Sequence, residues 1–266
     1  MSVVIVGMLD EREDALKIIK EQIEKRGHET LLIDISIGTG AVVSSLKADV
    51  TCEEIAKLGG GTIEQIKGML AKEREKATSM VAEGLSKKVT ELYQAGKLKG
   101  MIAIAGMTGT FLSLTAMRAL PFGVPKLLIS SVTAMPAYSN RLADYFGVRD
   151  ITVMHSVVDT VGLNPLVRTL AINGANAICG MVEGFEPTQK EEKPSIAITE
   201  FGFVDKGAHY VREILEKDYN IVSFHATGLG DRAAVDLVSQ GFFEAFIDLV
   251  PASFSEYLFG GNRASG

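Results

Sequence analysis

The chain has 266 residues, a net charge of −6, 47% hydrophobic side chains and 23% charged ones. That composition describes a globular protein with enough apolar surface for two domains. The acidic balance, with no basic run, argues against a protein that wraps nucleic acid non-specifically. The two cysteines, Cys52 and Cys179, supply neither a disulfide framework nor a metal-ligand spacing.

The predicted elements alternate from the start. Ser2 to Val6 is a short β-branched run ending at Gly7. Glu11 to Arg26 places apolar residues at 15, 16, 18, 19 and 23, one face of a helix that Gly27 stops. The stretch 29–36 is a second strand. A strand, a helix and another nearly continuous apolar strand predict a βαβ unit in a buried parallel sheet. After a small-residue connection over 37–49, Thr51 to Glu54 has the pattern of a capping box. Thr62 then caps a helix predicted to run to Ala95 and close at Gly96. Its charges over 72–76 read as a solvated face.

A strand at 101–105 runs into Gly106-Met107-Thr108-Gly109-Thr110, and a helix is predicted from near Gly109. Strands follow at 125–132 and 150–154, then a small-residue helix over 156–182. The stretch 183–194, with two prolines and four acids, is predicted to link a first subdomain at 1–182 to a second at 195–266. There the pattern restarts with a strand at 195–202, a helix at 205–217, a strand at 220–228, a helix at 231–240 and a strand ending at Val250. Residues 3–35 align with 196–227 as an internal repeat. The predicted fold is therefore α/β, two Rossmann-like doubly wound subdomains, with the second expected to be incomplete at Gly266.

Three turns carry candidate chemistry. Gly106 to Thr110 lies between a strand and a helix, where backbone N–H groups and threonine hydroxyls suit a phosphate. The bland alternative is a tight turn with Thr110 as an ordinary cap. Gly7-Met8-Leu9-Asp10 occupies the equivalent loop after the first strand, and Asp10 is either the helix N-cap or a magnesium ligand. His225-Ala226-Thr227-Gly228 follows a strand of the repeat, and its histidine is either a hydrogen-bonded structural residue or part of a site. Ser156 has no Gly-x-Ser-x-Gly context, which argues against a serine hydrolase. The apolar stretches at 101–134 and 156–182 are interrupted by charges, prolines or asparagines, so no membrane span and no membrane partner is expected. The N-terminus lacks a basic n-region, and a cytoplasmic location is expected.

Four strings together, Gly-Met-Leu-Asp at 7–10 and the stretches 117–130, 150–164 and 224–233, resemble the ATP-binding domain family named for the plant tomato mosaic virus resistance protein. The resemblance runs from Val3 to about Gly261. Where that family's first loop reads Gly-Thr-Leu-Asp-Thr-Lys-Gly, this chain has Gly7-Met8-Leu9-Asp10-Glu11-Arg12-Glu13, with Arg12 keeping a positive charge. The resemblance implies ATP and Mg2+ as cofactors. Nucleotide would be held by Gly7, Asp10, Gly106, Thr108, Gly109, Thr110, Ser130, His225, Thr227 and Gly228, with Asp10 on the metal. It also implies a TIM-barrel partner resembling phosphoenolpyruvate hydrolases, while the apolar sheet edge expected on an unfinished second subdomain favours a homodimer or higher oligomer. The activity expected is nucleotide binding, with weak ATPase activity or a role as subunit of an ATP-dependent enzyme. The competing expectations are an assembly module that keeps the fold without the ligand, and a site for another phosphorylated or acyl ligand.

Overall fold

The computed structural model describes residues 1–186 and 193–261, with the side chains of 252–254 and 257 left aside. Half of the predicted linker at 183–194, residues 187–192, thus falls outside the described residues. Two compact units form. The first comprises Met1–Ser139 and Asp150–Pro187, the second Asn140–Arg149 and Thr188–Gly266. The segment Asn140–Arg149, assigned to the first subdomain from sequence, therefore belongs with the second unit.

In the first unit the elements run β1 (Ser2–Gly7), α1 (Leu9–Lys25), β2 (Thr30–Asp34), α2 (Cys52–Leu58), α3 (Ile63–Met69), α4 (Arg74–Gln94), β3 (Leu98–Ala105), α5 (Met107–Ala119) and β4 (Lys126–Ser130). Helix α6 (Ser139–Phe146) leads into the second unit, and the chain returns for β5 (Thr152–His155) and α7 (Pro165–Glu183). The five strands are parallel in the order β2-β1-β3-β4-β5. Alternation along the strands sends Val3, Ile5, Ile102, Ile104, Leu127 and Ile129 to one face, where α1 and α7 cover them with Leu16, Ile19, Ile23, Ala171 and Ile178. The opposite face, with Val4, Met101, Ala103 and Leu128, is buried as well, under α4 and α5. Covering both faces is what the near-continuous apolar strands require. At the sheet's edge, Ile33 bridges Val50, and the Asp49 carboxylate accepts from the Leu32 amide at 2.8 Å.

The second unit holds β6 (Ser195–Glu200), α8 (Asp205–Leu215), β7 (Asn220–His225), α9 (Leu229–Ser239), β8 (Ala245–Asp248) and α10 (Ala252–Phe259). Its sheet is parallel in the order β7-β6-β8. That order repeats β2-β1-β3, which is the internal repeat realised in three dimensions. Ile196, Ile198 and Ala208 are its buried core.

Three helix predictions need correction. The helix from Thr62 is two helices, because α3 stops at Met69 and α4 restarts at Arg74. Its start is as predicted, with Thr62 and Gln65 in a reciprocal capping box. At Thr51 only half of the box forms, its hydroxyl accepting from the Glu54 amide. The helix expected over 156–182 begins at Pro165, where the Asn164 side chain accepts from the amides of Leu166 and Val167 at 3.0 Å. Residues 156–164 are a loop instead. Among the described residues, no helix is long and apolar enough to cross a membrane.

Candidate functional site

In a parallel sheet of this order the chain leaves β1 toward one side for β2 and crosses to the other side for β3. Ligands of such sheets bind in the crevice outside the carboxyl ends of the strands at that reversal. The loops after β1 and β3 lie at that reversal, and they touch. A Cβ on Gly106 would lie 2.4 Å from Nη2 of Arg12, so the glycine is what lets the guanidinium reach the turn after β3.

The two helices starting at this crevice differ in how their first amides are satisfied. At α1 the amide of Leu9 donates to the Asp34 carboxylate at 3.2 Å, and that of Asp10 donates to the Ser36 hydroxyl at 3.2 Å. The N-cap is Met8, so Asp10 is not the cap expected from sequence. A carboxylate from the end of β2 already complements this helix dipole, which closes this N-terminus to an anion. At α5 the N-cap is Gly106, which has no side chain to offer, and among the described residues no side chain caps that end. The amides of Met107, Thr108 and Gly109 have no acceptor within the helix. Arg74, at the start of α4, donates to the Thr108 hydroxyl at 3.2 Å and adds a second cation beside this end.

The acids that crowd the first loop are structural ties. Asp10 Oδ2 accepts from the Gly40 amide, Glu11 from the Thr39 hydroxyl, and Glu13 from the amides of Ser45 and Leu46. They pin the 37–49 connection against α1. Hydrogen bonds from Ser45, above all its hydroxyl, hold the Glu13 carboxyl below its ordinary pKa. Asp10 keeps one oxygen in reserve, since Oδ1 is buried and has no hydrogen-bond partner. A lone buried carboxylate oxygen fits a hard cation. Among the described residues no group of three metal-type side chains gathers anywhere. Asp10 could thus hold a hard cation only as a single carboxylate.

The remaining predicted residues divide by burial. Thr110 and Ser130 are fully buried, with their hydroxyls 2.7 Å apart. Ser130 also accepts from the Val132 amide, and the Thr110 amide donates to Gly106 O. Thr110 is therefore neither a cap nor a ligand donor: both hydroxyls join α5 to β4. Gly7 is buried under Leu16, and Gly109 lies against Ala105. Thr108 remains the hydroxyl at the open end. In the second unit, His225 ends β7 with its ring stacked on Phe201 at 5.0 Å, Thr227 follows in the turn, and Gly228 takes the positive φ of 86° that begins α9.

The sequence pattern marks Arg12 only by its charge, puts Arg74 on a solvated face and predicts Asp159 and Thr160 inside a helix. All four belong to the crevice of the first unit. Arg12 donates from Nε to Thr160 Oγ1 at 2.9 Å and from Nη2 to Asp159 Oδ1 at 3.2 Å, and it also pairs with Glu11. Arg12 is only 4% exposed.

Comparison with known proteins supports a family assignment. The N-terminal domain of uncharacterised protein family UPF0261 matches residues 1–187, and the family's C-terminal domain matches 193–266. A UPF0261 protein of Clostridium tetani is 35% identical over 265 residues, covering 99% of this chain and 63% of its own length. The tomato mosaic virus resistance protein Tm-1 of Solanum lycopersicum is 31% identical over 221 residues, 81% of this chain and 28% of its own. The chain thus spans less than two thirds of the length of these relatives. Among solved structures, UDP-GlcNAc 2-epimerase from Neisseria meningitidis bound to UDP-GlcNAc is similar at 13% identity. It covers 94% of this chain and 73% of that one, with a TM-score of 0.34, too low to bear on function. With both family domains matched along nearly the whole chain, the chain belongs to the UPF0261 family.

Proposed function

We propose that this chain binds a phosphate-bearing nucleotide, Mg-ATP foremost, at the carboxyl edge of the five-stranded sheet. One observation carries the reading: of the two helices that start at the reversal point, α1 is closed by Asp34, while α5 presents its first amides uncapped between Arg12 and Arg74. The amides of Met107, Thr108 and Gly109 would take phosphate oxygens, the Thr108 hydroxyl would add a donor, and Asp10 would carry the magnesium. Magnesium would supply charge neutralisation in a crevice already crowded with acids. The same reading leaves room for slow hydrolysis, read by phosphate release, and keeps the cytoplasmic location expected from the sequence. Calorimetric titration with Mg-ATP tests it. Saturable heat is expected from the wild type, weakened about fivefold by Arg74→Ala. A cooperatively folded wild type that gives no heat overturns the reading.

A second reading, an assembly module, draws on the second unit, where Val222 of β7 and Phe246 of β8 stand exposed on a sheet of only three strands. It predicts a stable oligomer without nucleotide. Light scattering that finds a strict monomer removes it.

A further inference from the structure

Arg12 is buried, yet one of the carboxylates that pairs with it is not. The Asp159 side chain is 71% exposed, against 4% for the arginine beneath it. An exposed carboxylate therefore sits over a buried guanidinium, at the turn where the guanidinium meets Gly106. It comes from the loop after β5. In that loop Val157 has φ 63°, the one positive φ at a non-glycine among the described residues, and a β-branched side chain is poorly suited to it. The Val158 amide closes a tight turn onto Ser156 O at 2.6 Å, and Val157, Val161 and Leu163 point into solvent. The Ser156 amide donates to Ser130 O at 3.1 Å and Val158 packs against the core, and beyond them the loop is held by what Asp159 and Thr160 do to Arg12. A strained segment anchored at its start, with exposed apolar side chains and an ion pair further on, is one whose outer part a competitor for the cation can release.

We infer that Asp159 is a built-in stand-in for the ligand's phosphate: it occupies Arg12 in the free protein, and an incoming phosphate displaces it and frees the 156–163 loop. This rests on the phosphate site proposed above and names the residue that sets its affinity. The charges facing Arg12 are consistent with such a role. Glu11 and Asp159 together over-neutralise the arginine, so a phosphate could reach it only by taking the place of one carboxylate. Glu11 is also tied to Thr39 and follows Asp10 in the first turn of α1, whereas Asp159 has solvent to move into. Of the two, Asp159 is the one that leaves. A purely structural ion pair would behave in the opposite way, because its loss would loosen the crevice and weaken any ligand.

The test titrates Mg-ATP into wild type, Asp159→Asn and Asp159→Ala, with thermal melting to confirm that each folds. Removing the internal carboxylate is expected to tighten binding by about tenfold. Deuterium exchange on the wild type supplies an independent reading: amides over 157–163 should exchange faster once Mg-ATP is bound. Wild type that binds while neither variant binds more tightly overturns the inference and leaves the phosphate site standing. Three folded proteins that all fail to bind overturn the site and the inference together. Exchange over 157–163 that slows or stays the same on binding also overturns it.

Discussion

The Asp34 carboxylate accepts a hydrogen bond from the amide of Leu9 at 3.2 Å, which puts the last residue of β2 on the first residue of α1. The same Oδ1 takes the amide of Ser36 at 2.9 Å and its hydroxyl. One carboxylate thus closes the helix end that lies beside the uncapped α5 and organises the turn after its own strand. Asp34→Ala should lower stability by about 1–2 kcal/mol, the usual worth of a lost cap, measured by urea denaturation at neutral pH. An unchanged midpoint would mean that the bond does no capping.

A second prediction concerns the opposite edge of the same sheet. Lys126 begins β4 with no exposed surface, and its ammonium is held by Pro121 O at 2.9 Å, Val124 O at 2.7 Å and Asp150 Oδ1 at 2.9 Å. Asp150 in turn accepts from the Gly123 amide at 2.8 Å. Lys126→Met keeps most of the volume but takes the donor from a carboxylate and two carbonyls. A loss of about 2 kcal/mol is expected from denaturant midpoints, because two carbonyls lose a buried donor while Asp150, its side chain 26% exposed, keeps water and the Gly123 amide. A loss under about 1 kcal/mol would show that the charge is dispensable there.

The third prediction follows Glu13. Hydrogen bonds from Ser45, chiefly its hydroxyl, depress this carboxyl. A depressed folded pKa contributes stability above the unfolded carboxylate range, and that stability is lost as pH falls through the folded value. Glu13→Gln should therefore melt below wild type at pH 7, and the gap should close below about pH 4. A gap that persists in acid would assign the effect to packing.

Thiol chemistry gives a fourth prediction. Burial, reinforced by the nearby Asp34 and Glu53 charges, pushes the Cys52 thiol up to about 12, and burial raises Cys179 too. Both should alkylate far more slowly at pH 8 in the folded protein than in urea, read by mass spectrometry. Equal rates would contradict these environments.

Much of the architecture is legible in the residues themselves. Continuous apolar runs such as Val3–Val6 and Met101–Ala105 have few fates besides buried parallel strands, and the repeat at 196–227 doubles the signal. The 156–164 loop reads as helix in the sequence because Val157, Val158 and Val161 imitate a helical face. The correction was also written there: Asn164-Pro165 is a cap followed by a first-turn proline. The crevice was half legible. Strand-end position singled out Gly106 and Thr108, but Thr110 and Ser130 looked like donors only until burial turned them toward each other. Arg12 escaped because its partners Asp159 and Thr160 lie far along the chain, brought close only by the sheet order. Local patterns identify loops, whereas the closure of one helix end by Asp34 and the opening of the other are properties of the folded edge.

The most direct measurement is a nitrogen-15 amide spectrum of the protein titrated with Mg-ATP. Saturable shifts are expected at Met107, Thr108 and Gly109, with the Leu9 amide held on Asp34 moving least among the loop residues. Shifts that gather at Leu9 and Asp10 while the start of α5 stays still, or no shifts at all in folded protein, would contradict the proposed site.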